Sequence, residues 1–252
     1  MGEERPLPSV VARMWGREPV TRRGPRPRLD LATITAAAVE IADAEGLAGV
    51  SMASVASRVG VAATALYRYV GSKEELLTVM ADGAAPLPPE PEGRHWRAYL
   101  EVWTRAQRDI LLGHPWLLAV ARLAPPLGPR RLLWLDRALA ALGGTGLHDG
   151  EKVNVATALT GYALTDAALV HSMAGGHPQL EEAGIEGAAD YGEMLAEVLD
   201  PDAYPALAAA MRSGAMGGGE GGWVEDADFV FGLNLLLDGV ETLISRRSGT
   251  AP

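Results

Sequence analysis

Residues 60–76 read GVAATALYRYVGSKEEL. Between Thr64 and Lys73 this stretch places the hydroxyls of Thr64, Tyr67 and Tyr69 and two cations (Arg68, Lys73) at the end of a short helical pattern. Such a set offers hydrogen bonds to a large polar surface outside the protein. A guanidinium such as Arg68 can pair with a guanine edge through two hydrogen bonds, about 1–3 kcal/mol of discrimination. Thr64, with the methyls of Ala63 and its neighbours, can pack on a thymine methyl. Tyr67 and Tyr69 can donate to phosphates, which positions without reading sequence. Lys73 falls in the first turn of the next helix, where its charge and nearby N–H groups favour a phosphate. Tyr67 has a second, compatible reading, in which its ring packs beneath the motif and only the hydroxyl shows.

Catalytic chemistry has no comparable trace. The five histidines, His95, His114, His148, His171 and His177, lack the H-x-x-x-H spacing of a helical zinc site. HDGE at 148–151 reads as a helix start with Asp149 as cap. Nucleophile-elbow, P-loop and dinucleotide fingerprints are missing. No enzyme, no metal and no cofactor is expected. The chain has no cysteine, which suits a cytoplasmic protein without disulfides or thiolate metal sites.

The elements around the stretch read as helices, and alternating β patterns are absent, so the fold class is all-α. Residues 1–28 are rich in Pro and Arg and form a flexible arm, with a short helix around Ser9–Trp15. From Asp30, Leu31, Ile34, Ala38, Ile41 and Ala42 recur at spacings of three and four until Gly46. A second, short helix opens at Ser51, a plausible N-cap, and closes at Gly60. VAATALYRYV is the third, and Ser72 with Glu75 stands at capping-box spacing for the fourth. Two short helices across a tight turn have the geometry of a helix-turn-helix. Ala56 is small where they cross, and Val55, Val59, Val61 and Leu66 supply the shared seam. A proline-rich hinge follows at 84–93. Further helices are expected near 94–112, 115–123, 129–142, 150–174, 188–198, 202–213 and 224–247. The domains expected are thus 29–83 for DNA and 94–247 for a larger helical body.

Charge is divided in the same way. Thr21–Lys73 carries seven bases against four acids, whereas Pro86 to the end carries 12 bases against 22 acids. The whole chain is at −10. A basic segment ahead of an acidic body fits contact with double-stranded DNA at one end only, although ordinary scatter of surface charge gives the same numbers. Arg26 and Arg28 in the arm can enter a narrow minor groove or neutralise phosphates. The alternative for them is a solvated tail. No apolar run of 18 residues suggests a membrane span.

LDLATITAAAVEIADAEGLAGVSMASVASRVGVAATALYRYVGSKEELLTVMAD resembles the N-terminal domain of the tetracycline-repressor (TetR) family of transcriptional regulators. The likeness covers about fifty residues: the helix ending in EGL, the S-x-A-x-V-A-x-x-V-G-V turn, and the L-Y-R-Y-V-x-S-K-E-E-L run. It implies a homodimer that reads an operator with two such motifs and lets go when a small molecule binds the C-terminal domain. It carries DNA contacts to Ala63, Thr64, Tyr67, Arg68, Tyr69 and Lys73, and to Ser51 and Met52 at the second helix. One departure is Ala53, where some members have a base-reading arginine, so the operator should differ from theirs.

The remainder resembles the family's C-terminal domain more loosely, through WRAYLEVWTRAQRDILLGHPW and FVFGLNLLLDGVETLI. Tetracycline-binding members hold a ligand-bound magnesium with a histidine, a threonine and a glutamate. Ala121, Ala124 and Val170 align near those positions and cannot ligate a metal, so tetracycline–magnesium is not expected. Candidate effector contacts are Trp103, His114, Trp116 and Trp134, with Asn154, Thr157, Gly161 and His171 along one helix. The tryptophans can equally be core. A hydrophobic or aromatic small molecule is the expected effector. The last helix offers Phe229, Leu233, Leu236, Val240 and Leu243 on one stripe, widened by Val230, Leu237 and Ile244. Helices near 150–174 and 224–247 would then pair with a second copy. The competing function is a helical small-molecule-binding or interaction protein of the same fold that does not read DNA.

Overall fold

The computed structural model describes residues 7–17, 29–91, 93–120, 125–176, 182, 184, 188–214 and 226–249. Among these residues there is no strand, as an all-α chain requires. They fall into two compact units, 1–142 and 143–252.

The first unit holds α1 (Ser9–Met14), α2 (Leu31–Gly49), α3 (Met52–Val59), α4 (Ala63–Leu66), α5 (Lys73–Gly83), α6 (Trp96–Gly113), α7 (Leu117–Val120) and α8 (Pro129–Ala141). Local chemistry sets the boundaries. Asp30 caps α2 by accepting from the Thr33 N–H at 2.8 Å, and that bond holds its carboxyl below the usual range. Gly46 sits inside α2 at φ 68°, a kink rather than the end, and the last turn runs on to Gly49. Ser51 and Ser54 cap α3 reciprocally, each accepting a backbone N–H, at 3.0 and 2.9 Å. Gly60 closes it at φ 74°, a conformation other side chains resist.

Two expectations change here. The third helix is Ala63–Leu66 only, and 67–69 form tight turns rather than a continuing helix. The short N-terminal helix is also no part of a free arm. Val10 and Val11 are buried in one core with Ile34, Ile41, Val55, Leu66, Val70 and Leu76. That core extends to Trp116, Leu117 and Val120, beyond the proline-rich hinge.

The second unit holds α9 (Asp149–His171), continued by one wider turn at Ser172–Gly176, then α10 (Ala188–Val198), α11 (Pro205–Arg212) and α12 (Asp226–Ser248). Asp149 is the first helical residue and pairs with Lys152 at 2.9 Å, while His148 is the cap. The stretch Asp149–Ala174 is long and apolar enough to cross a bilayer by composition alone, but α12 packs along it. Phe229, Leu233, Leu237 and Val240 of α12 are buried. Leu236 and Leu243, expected on the buried stripe, are half-exposed and line an open groove against α9. Arg247 donates to Glu151 across the helix ends, and that bond, with the His148 N–H, holds the Glu151 carboxyl below its usual range.

The α9–α12 crossing depends on one small residue. Tyr162 stacks on Phe229 with ring centroids 5.4 Å apart and donates to the Phe229 carbonyl at 2.9 Å. A Cβ at Gly232 would stand 2.3 Å from the Tyr162 hydroxyl oxygen. Gly232→Ala should therefore destabilise the chain by about 1–3 kcal/mol in urea unfolding. Combining it with Tyr162→Phe should add less than the sum of the two single losses, because both changes act on the same contact.

Candidate nucleic-acid interface

α3, the Gly60 turn and α4 form a helix-turn-helix whose seam is closed by Val55, Ala56 and Leu66, with Val59 and Val61 half-buried. Opposite the seam, Thr64, Tyr67 and Arg68 are exposed, Tyr67 by 55 %. The Arg68 guanidinium makes no hydrogen bond or ion pair to any described residue, whereas the nearby Arg58 pairs with Glu40 at 3.2 Å. Ala63 is half-buried beside Thr64. At the start of α3, Ser51 is exposed but its hydroxyl serves the cap, and Met52 packs partly on the core.

Tyr69 departs from its expected role. Its hydroxyl donates to the Leu29 carbonyl at 2.9 Å, so its one proton is committed inside the protein and is not offered to a phosphate. The ring is half-buried against the core, and Tyr69 braces the turn instead. Lys73 lies exposed, and its ammonium reaches the Leu47 carbonyl at 3.4 Å. Arg26 and Arg28 lie outside the described residues.

Behind the interface, two carboxylates tie helices of the first unit together. Asp43 of α2 accepts from the Trp116 indole at 2.7 Å and lies 2.7 Å from His114 Nδ1. Asp82 of α5 is buried and accepts the Arg130 and Arg131 N–H groups at 3.3 and 2.9 Å, capping α8 from another helix. Burial lowers the Arg131 guanidinium from its ordinary value, and the Asp82 charge offsets part of that.

The eight candidate effector contacts divide between the two units, four in each. His114 and Trp116 meet on Asp43 and belong to the α2–α7 joint. Trp103 is 1 % exposed and donates to the Trp134 carbonyl at 2.9 Å, and Trp134 donates to the Pro86 carbonyl at 2.9 Å. These two indoles are core braces with satisfied N–H groups. In the second unit Asn154 lines the α9–α12 groove. Thr157 is exposed and bonds to Val153 of its own helix at 2.8 Å, and Gly161 is also exposed. His171 is half-buried in the last turn of α9. Of the three positions aligned with magnesium ligands, Ala121 and Ala124 lie outside the described residues and Val170 is half-buried. Among the described residues no group of three His, Asp or Glu side chains could hold a metal.

Residues 34–80 match the profile of the bacterial regulatory proteins of the TetR family, and 87–244 match the tetracyclin repressor-like C-terminal domain. The chain belongs to the TetR family. It is 37 % identical to the HTH-type transcriptional repressor DrrR1 of Streptomyces coeruleorubidus, over 94 % of this chain and 86 % of that protein. It is 32 % identical to an HTH-type transcriptional regulator of Saccharopolyspora erythraea, over 60 % of this chain and 64 % of that one. Among solved structures it is similar to the TetR family protein ActR of Streptomyces coelicolor in complex with actinorhodin. That likeness has a TM-score of 0.69 and 25 % identity over 86 % of this chain and 98 % of that one. The family profiles divide the chain near the proline-rich hinge, whereas the compact units divide at 142: α7 and α8 pack on α5, and α6 packs on α8.

Sequence reasoning missed Asp43, Asp82 and Arg13 as braces. Their partners are far along the chain, and the only local hint was acid placed among apolar helix positions. Asp43→Ala should lower the unfolding free energy by about 1–3 kcal/mol in a urea titration, since the Trp116 N–H loses its acceptor. Asp43→Asn, which keeps a carbonyl oxygen, should lose less.

Proposed function

We propose that this TetR-family chain is a ligand-responsive transcriptional repressor. It acts in the cytoplasm as a homodimer on operator DNA and is released by a small hydrophobic or aromatic effector. The observation that carries the DNA half is the exposed Thr64–Tyr67–Arg68 face, whose guanidinium has no partner among the described residues, on a helix-turn-helix held by a buried seam. Arg68 reads a guanine edge, Thr64 and Ala63 pack on a thymine methyl, and Tyr67 and Lys73 hold phosphates. Ser51 and Met52 bring the start of α3 to the backbone, and Arg26 and Arg28 add charge from the arm.

The dimer reading rests on α9 and α12. Phe231 and Leu235 stand one turn apart on α12 at 68 % and 59 % exposure, and Val153 and Leu169 are exposed on α9. Between the helices runs an open groove of about 290 Å³, lined by Asn154, Val155, Ala158, Leu236, Val240 and Leu243 among others. A second copy that covers this face by the same face makes an isologous four-helix contact. Two reading heads can then engage half-sites about 34–36 Å apart. The ActR neighbour, solved with actinorhodin, and the DrrR1 repressor support the effector and the sign of regulation.

The test is fluorescence anisotropy against duplexes tiling the region upstream of the chain's own gene, with a scrambled duplex, at two salt concentrations. One tile should bind tighter than the scrambled duplex at the higher salt. No preference at either salt would favour a helical binding protein without operator reading. Arg68→Ala should weaken binding to that tile by about 1–3 kcal/mol and relax one base position. Leu235→Glu should convert the dimer to monomer in light scattering and lower operator affinity by about a hundredfold or more, because bivalent binding is lost.

A further inference from the structure

α1 lies ahead of both segments that the family profiles match, so nothing in the family likeness says what it does. Its contacts do. Val10 and Val11 fill the core that also holds Leu66 and Val70, the residues on either side of the recognition turn. Arg13 donates through Nη1 to the carbonyl of Tyr69. Two residues on, the Trp15 indole donates to the Leu127 carbonyl at 2.9 Å, in the loop that opens α8. The Met14 methyl fills the space at Gly128, where a Cβ would stand 2.5 Å from it.

The recognition turn needs such help. α4 has four residues, and the Arg68 N–H reaches the Ala65 carbonyl at 3.4 Å, at the long limit of a hydrogen bond. Arg68 is thus held weakly by its own helix. The next residue is held from several sides. Tyr69 donates its N–H to Leu66 at 2.8 Å and its hydroxyl to Leu29 at 2.9 Å, and its carbonyl accepts from Arg13.

We propose that α1 is a positioning strap for the DNA-reading face. Through Arg13 it fixes the turn that carries Tyr67 and Arg68, and through Trp15 it anchors that turn to the entry of α8. Arg13 and Trp15 are positioning residues, since they act through Tyr69 and Leu127 rather than by touching DNA. The strap rests on the operator reading above.

The experiment uses full-length protein carrying Arg13→Ala, Arg13→Lys or Trp15→Phe. Each is titrated with the preferred duplex and with the scrambled one, its thermal midpoint is measured, and amide hydrogen exchange is followed at 68–70. Arg13→Ala should weaken binding to the preferred duplex about tenfold, with less than about a twofold change on the scrambled one. Exchange at 68–70 should quicken while the thermal midpoint stays near that of the parent. Arg13→Lys, which keeps a charged donor, should recover most of the loss, and Trp15→Phe should change the same readouts in the same direction. Equal weakening on both duplexes would mean that the Arg13 charge meets phosphate directly, and the strap would be wrong. A fall in thermal midpoint that tracks the affinity, or unchanged affinity and exchange, would also overturn it. If the parent protein prefers no duplex, the operator reading fails and the strap falls with it; a preference that survives Arg13→Ala removes the strap alone.

Discussion

A helix of one turn cannot hold its own shape in water. Nucleating it fixes several dihedrals for very few hydrogen bonds. α4, the element that presents Thr64 and leads to Arg68, is such a helix. Its existence depends on burial at its carboxyl end, where Leu66 and Val70 are fully enclosed. The rest of the first unit can be understood as what encloses them: α2 and α3 through Ile34, Ile41 and Val55, α5 through Leu76, and α1 through its two valines. The face that meets the outside is therefore as well defined as the core behind it, and no better.

That core does not stop where the reading head would end by sequence. Trp116, Leu117 and Val120 belong to it, and Asp43 and Asp82 join α2 and α5 to elements beyond the proline-rich hinge. A carboxylate shared between helices differs from an apolar contact in one respect that bears on function. Apolar contacts slide at low cost, whereas a bond of 2.7 Å to a buried indole has one good geometry. The two carboxylates therefore fix how the reading head is oriented on α7 and α8. This is what a regulator needs if binding at one place is to bias affinity at another.

Most helix boundaries of the first unit were legible because their causes are local. Ser51, Gly60 and Ser72 act within four residues of their partners, and the spacing of Ile34, Ala38, Ile41 and Ala42 states which face of α2 is buried. The exposed Arg68 and Tyr67 could be read for the same reason. Tyr69 could not. Its hydroxyl partner, Leu29, is forty residues away, and only the folded chain brings them together. The tryptophans, open by sequence between core and effector contact, turn on distance in the same way. An indole in a sequence announces area and one donor, but Trp103, Trp116 and Trp134 spend those donors on a distant carbonyl, a carboxylate and a proline carbonyl. Phe231 and Leu235 were passed over because 229–237 of α12 are apolar but for Gly232 and Asn234, and periodicity alone does not tell an inner face from a second outer one.

Asp82 has a mechanical consequence. Its carboxylate holds the first two N–H groups beyond Pro129, and Gly128 leaves no room between that carboxylate and the Met14 methyl. Sliding α8 along its axis would break both bonds at once, and Trp134, which donates to the Pro86 carbonyl and accepts from the Trp103 indole, each at 2.9 Å, holds the next turn as well. α8 has 13 residues and so is about 20 Å long. A tilt of about five degrees moves its far end, near Ala141, by about 2 Å while its near end stays fixed. The end of α8 that stays fixed is the one held against the helix that follows the recognition turn.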